Sequence, residues 1–110
     1  MLLELLIVIV ILGILLAMAI SYLNIRDRAN RAVARANVVT SVRAVETYRA
    51  DNDAYTGMTW AALRDIDRGI SPTLEIETVA AESYCISDSH GDVTFHKEGP
   101  AGLVEEGGCP

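Results

Sequence analysis

MLLELLIVIVILGILLAMAI, residues 1–20, decides how the rest of the chain is read. About 20 predominantly apolar residues, each rising about 1.5 Å in a helix, cross a hydrocarbon core about 30 Å thick. Eight Leu, Ile and Val residues follow Glu4 without interruption up to Leu12, and only Gly13 breaks the run before Ser21. The stretch therefore predicts a membrane-grade helix. A secretory signal would carry a basic segment first and a small-x-small cleavage site after the apolar run. Neither is found here, so the apolar block is expected to stay in the mature protein. Glu4 is the single charge in the block. A carboxylate withdrawn from water needs a partner, and an acid inside a membrane segment is a functional candidate by default. The nearest cation along the chain is the α-amino group of Met1, and a neighbouring copy offers the same group. The alternative is that Glu4 simply sits at headgroup level near the terminus.

Outward from this block the chain continues as helix. Between Ser21 and Ala50 there is no Pro and no Gly, and Ala, Arg and Val dominate, which predicts one helix from about Leu2 to Ala50. Ile25, Ala29, Ala32 and Ala36 share one face, with Arg28, Arg31 and Arg35 on another. Val38, Val42 and Val45 then form an apolar stripe on roughly the side the arginines held. Two stripes on different sides imply two partners: other chains for the first, the protein's own sheet for the second. ADNDAYTG, residues 50–57, reads as a turn. It does not meet the calcium-loop pattern, because Tyr55 takes a ligand position and no glutamate follows at the required spacing. Thr59 to Asp67 reads as a short helix with Thr59 as N-cap and with Trp60 and Leu63 facing the core. TLEIETVA, ESYCISD and GDVTFHKE then predict three antiparallel strands, the last two joined at His90-Gly91-Asp92. Ile76, Ile86 and Phe95 would meet the valine stripe, and the tail from Gly99 to Pro110 would be held by Cys109 alone.

The expected fold is thus α+β: a long N-terminal helix packed on a small three-stranded sheet. The expected regions are an apolar helix over 1–24, an amphipathic helix over 25–50 and a head over 51–110. A chain of 110 residues leaves room for one small domain beyond the membrane helix.

The net charge of −6 conceals an asymmetry. Residues 26–49 hold six arginines, Arg26, Arg28, Arg31, Arg35, Arg43 and Arg49, against Asp27 and Glu46; from Asp51 onward twelve acids face three bases. A chain polarised in this way can attract copies of itself, basic stem to acidic head. Cys85 and Cys109 read as one disulfide if the head is extracytoplasmic. Zinc is the weaker alternative, since the pair is not closely spaced and only His90 and His96 could add nitrogen. Ser, His and Asp are scattered, with no nucleophile motif and no phosphate-binding loop, so neither an enzyme nor a cofactor is expected. The acidic head and the lack of an aromatic-basic surface argue against direct nucleic-acid binding. Asn24, Asn30, Asn37 and Asn52 all lack the Asn-x-Ser/Thr pattern.

LLELLIVIVILGILLAMAI, the arginine-containing helix, the DNDAYTG turn and a β-rich head with a late cysteine pair together resemble a type IV pilin of the IVa class. The resemblance is strongest over residues 1–25 and 48–57. It implies a precursor with a short basic leader, cut by a prepilin peptidase that also methylates the new terminus. Subunits would wait in the cytoplasmic membrane, head outside, until assembly machinery adds them to an extracellular filament, a helical homopolymer serving adhesion, motility or related surface work. In such filaments the glutamate matching Glu4 neutralises the terminal amine of an adjacent subunit, here Met1. Two departures stand out. The family's glutamate usually lies one residue farther from the mature terminus, and Ser21 stands where a helix-breaking Pro is common. Unwinding in a filament is accordingly expected between Gly13 and Ser21. Arg26, Arg28, Arg31 and Arg35 would supply inter-subunit charge. By the positive-inside rule these arginines would favour the cytoplasm; a removed basic leader would reverse that orientation. Two alternatives are a type II secretion pseudopilin, which more often lacks the late disulfide, and a single-pass membrane protein with a small binding head.

Overall fold

A computed structural model describes all residues from Met1 to Pro110. One helix, α1, runs from Leu2 to Asn52 and gives the molecule its length, in an outline of 77 × 27 × 15 Å. It extends two residues past Ala50 because Asp53 takes up the left-handed conformation that ends it (φ 62°) and Asn52 Nδ2 donates to the Tyr48 carbonyl. The short helix α2, Trp60–Ile66, is capped by Thr59, whose hydroxyl accepts from Ala62 N.

The head carries four strands rather than three: β1 Glu75–Val79, β2 Tyr84–His90, β3 Val93–Gly99 and β4 Val104–Glu106, antiparallel in the order β1-β2-β3-β4. The fourth strand corrects the sequence reading of a loose tail. VEE is too short and too polar to stand out by alternation, and it becomes a strand only because β3 offers its edge, pairing Lys97 with Val104 and Phe95 with Glu106. The tail is then held by more than Cys109. Gly107 N donates to the Thr94 carbonyl, Lys97 Nζ donates to the Gly102 carbonyl, and Cys109 N donates to Glu77.

Alternation along β2 points Tyr84, Ile86 and Asp88 toward α1 and Cys85 and Ser87 away from it. The core joins Val38, Ala44 and Val45 of α1 to Tyr55, Leu63, Leu74, Tyr84 and Ile86, with Val42, Ile76 and Phe95 packed at its margin. The expected meeting of valine stripe and sheet is therefore present. Trp60 differs from expectation: it is 36% exposed, its indole N–H donating to the Ser71 carbonyl and its ring lying under the Arg64 guanidinium. Leu63 alone supplies the buried face of this short helix.

Three glycines are required by close approach, one of them Gly102, where a Cβ would run into the Glu98 carbonyl oxygen. Gly91, at φ 62° in the β2–β3 turn, sits against the Asn30 side chain, and a Cβ on Gly99 would overlap the Tyr84 ring.

Candidate assembly surface

Every residue from Met1 to Ala29 is exposed. A helix apolar all round is stable in water only when something covers it, because each large apolar side chain left bare forgoes about 1.5–3 kcal/mol of burial. The sheet does not reach this half of α1, which is long and apolar enough to cross a membrane. Met1, Glu4, Gly13 and Ser21 all lie on it. Glu4 occupies the first turn, where the helix dipole favours an acid. Both ion pairs of the chain involve Arg31, so neither Glu4 nor the Met1 amine is neutralised within one copy. A Cβ on Gly13 would meet open space, so nothing inside the chain requires a glycine there. Helical geometry is continuous through Gly13 and Ser21 in the single chain.

Farther along, α1 meets the head on two flanks. Arg31 reaches Glu106 of β4 at 2.9 Å and Asp27, one turn back, at 3.4 Å; hydrogen bonds and the charge of Glu106, and then of Asp27, raise its pKa. About a third of a turn around the helix, Asn37 Nδ2 donates to Asp88 at 2.7 Å. Asp88 also accepts from the Thr73 and Ser71 hydroxyls and is 1% exposed. Three neutral donors thus satisfy a buried carboxylate and tie α1, β2 and the segment before β1 together. Of the arginines expected to serve other chains, Arg31 is engaged within its own copy, while Arg26, Arg28 and Arg35 have no carboxylate partner in it. Sequence reasoning overlooked the Asp88 cluster; its one signal was an acid at an inward position of β2, in step with Tyr84 and Ile86.

Cys85 and Cys109 are joined, with Cα atoms 6.1 Å apart. The bond lies on the sheet face turned away from α1 and fastens the tail across it. A Glu77 carboxylate oxygen lies within 4.8 Å of both sulfurs. With the sulfurs bonded to each other there is no thiolate pair for zinc.

No protein-family model matches the chain. Among known proteins it is similar to the type IV wide pilus major component PilA4 of Thermus thermophilus, with 39% identity over 97 residues, covering 84% of this chain and 73% of that protein. The similarity therefore extends beyond the apolar helix into the head.

Proposed function

The chain belongs to the type IV pilin family, and from that premise we propose that it is a structural subunit, polymerising into an extracellular filament through the apolar half of α1. One observation carries the reading: an apolar helical surface from Leu2 to Ile25 that the chain's own head leaves uncovered, with a single carboxylate at its start. Lipid covers it before assembly, and other copies of the same helix cover it afterwards. Residues 1–24 act as the membrane and filament-core segment, 25–50 as the stem entering the head, and 51–110 as the displayed head. A prepilin peptidase and an assembly machinery process and export the subunit from the cytoplasmic membrane, and adhesion or motility follow from the polymer.

Glu4 supplies register. An unpaired carboxylate drawn into an apolar filament core is costly, and a neighbour's terminal amine offsets that cost only at one axial stagger. Arg26, Arg28 and Arg35 add attraction toward acidic heads. In the cell that makes this protein, sheared surface material is expected to contain filaments of the chain by electron microscopy. Glu4→Ala is expected to leave membrane-inserted subunit at its normal level while filament yield falls at least tenfold. Unchanged piliation would remove Glu4 from the mechanism, and absence of filaments from the unaltered chain would overturn the reading.

A further inference from the structure

A groove of about 380 Å³ opens where α1 meets the β4 edge of the head. It is lined by Val39 and Val42 of α1 and by Leu103 and Val104, together with two cations, Arg35 and Lys97, the latter donating from Nζ to the Gly102 carbonyl in the same wall. Leu103 is 76% exposed and Val39 is also exposed, so the surface is built from the large apolar side chains that a head of this size would otherwise bury. Neither Arg35 nor Lys97 has a carboxylate partner in its own chain. A cationic, apolar groove on an acidic head calls for an occupant that is acidic and apolar at once.

The opposite flank of the same head presents that chemistry. Trp60 Nε1 and Arg64 bond the Ser71 and Ile70 carbonyls, which places α2 beside the segment leading into β1. Ser71 and Thr73 of this segment meet Asn37 through Asp88, whereas Arg31 meets β4 on the other side of α1. At the end of α2, Asp65-Ile66-Asp67 sets an exposed isoleucine between two acids. Ile66 is 37% exposed, and neither aspartate is in an ion pair. Arg64 does not neutralise them, because it lies over the Trp60 ring and reaches back to the Ile70 carbonyl.

We propose that the Arg35–Lys97 groove receives the Asp65-Ile66-Asp67 edge of a second copy of this chain. Ile66 enters between Val39 and Leu103, and the flanking aspartates meet Arg35 and Lys97. Groove and edge lie on opposite flanks, so the contact is heterologous: each copy offers its groove to one neighbour and its acidic edge to another, an arrangement that gives an open filament wherever the rotation between copies does not close a ring. This rests on the polymerising role proposed above and adds a lateral head-to-head contact to the apolar core.

The test uses two variants of the full chain, Leu103→Cys and Ile66→Cys, both at exposed positions, expressed separately and together. Sheared filaments are oxidised and run without reductant. Filaments containing both variants are expected to give a cross-linked pair, and filaments of either variant alone to give none. Filaments with maleimide-accessible thiols but no mixed cross-link would overturn the groove contact, as would equal cross-linking in single-variant filaments. A charge exchange checks the same contact without cysteines. Arg35→Glu is expected to lower filament yield about two- to fivefold, and Asp65→Lys in the same chain to restore it. Failure of that rescue counts against the contact. Absence of filaments from the unaltered chain would overturn the polymerising role together with this contact, whereas filaments without cross-link or rescue would overturn the contact alone.

Discussion

Tyr84 shows how much a single side chain can cost in a small head. Its ring fills the core against Tyr55, with centroids 4.8 Å apart in an edge-to-face arrangement, and against Gly99. The Tyr84 hydroxyl is buried and finds no hydrogen-bond partner, while that of Tyr55 donates to Glu46 at 2.9 Å. Burial raises the pKa of both phenols, aided for Tyr55 by its bond to Glu46 and for Tyr84 by the charge of Glu46. The unfolded chain releases these protons near the ordinary tyrosine value of about 10, and the folded chain holds them to higher pH. Their contribution to stability is therefore complete below about pH 10 and is lost as the pH rises toward the folded values. Urea unfolding of the detergent-solubilised protein should show a constant midpoint from about pH 7 to 9 and a decline above about 10. Tyr84→Phe keeps the ring and removes the orphaned hydroxyl. It should be neutral or stabilising by about 1 kcal/mol and should flatten the alkaline decline. A loss of more than about 1 kcal/mol would show that the hydroxyl has a partner in solution.

Among the elements, the tail and the apolar half of α1 present opposite problems. The tail has little to bury: three residues of β4, a few hydrogen bonds and one covalent bond hold it. Cys85 and Cys109 are 24 positions apart, a loop whose closure stabilises the folded head by about 3–4 kcal/mol in the chain-entropy model. Cys85→Ser with Cys109→Ser, or reduction, should lower head stability by about that amount in chemical denaturation, with little loss of helical circular dichroism, since most helix lies outside the closed loop. The apolar half of α1 has everything to bury and nothing within the chain to bury it against. Packing many copies side by side favours local adjustment where backbone bonds are weakest, and Gly13 is the residue of lowest helical propensity in the segment. In a filament map, any lost α-helical hydrogen bonds should fall between Gly13 and Ser21. An unbroken ladder there would remove this expectation.

For the whole molecule, two kinds of attraction between copies compete for importance, and their magnitudes decide between them. An exposed ion pair contributes about 0–1 kcal/mol and is screened by salt, whereas each large apolar side chain covered contributes about 1.5–3 kcal/mol. The stretch from Leu2 to Ile25 is almost wholly of the second kind. Filaments should therefore persist as ionic strength is raised toward about 1 M, where the Debye length is about 3 Å, and should come apart in detergent that solvates the apolar helices. Sedimentation under the two conditions measures this. Dissociation by salt alone would move the main driving force to the basic stem and the acidic head.

Within MLLELLIVIVILGILLAMAI the sequence by itself determined the membrane-grade helix and its lone acid, since twenty contiguous residues carry that information without help from distant ones. The Pro-free and Gly-free stem, the Thr59 cap and the His90-Gly91-Asp92 turn were legible for the same reason. Val38 and Val45 were legible as core because helical period and β alternation each expose one apolar stripe. β4, the burial of Asp88 beneath Asn37 and Thr73, the capture of Arg31 by Glu106 and the groove under Leu103 were decided only by tertiary structure. Each joins residues far apart in the chain, 75 positions apart for Arg31 and Glu106. A three-residue strand or a neutral cage around a carboxylate has no local period; it exists only once α1 and the sheet have fixed where those residues meet.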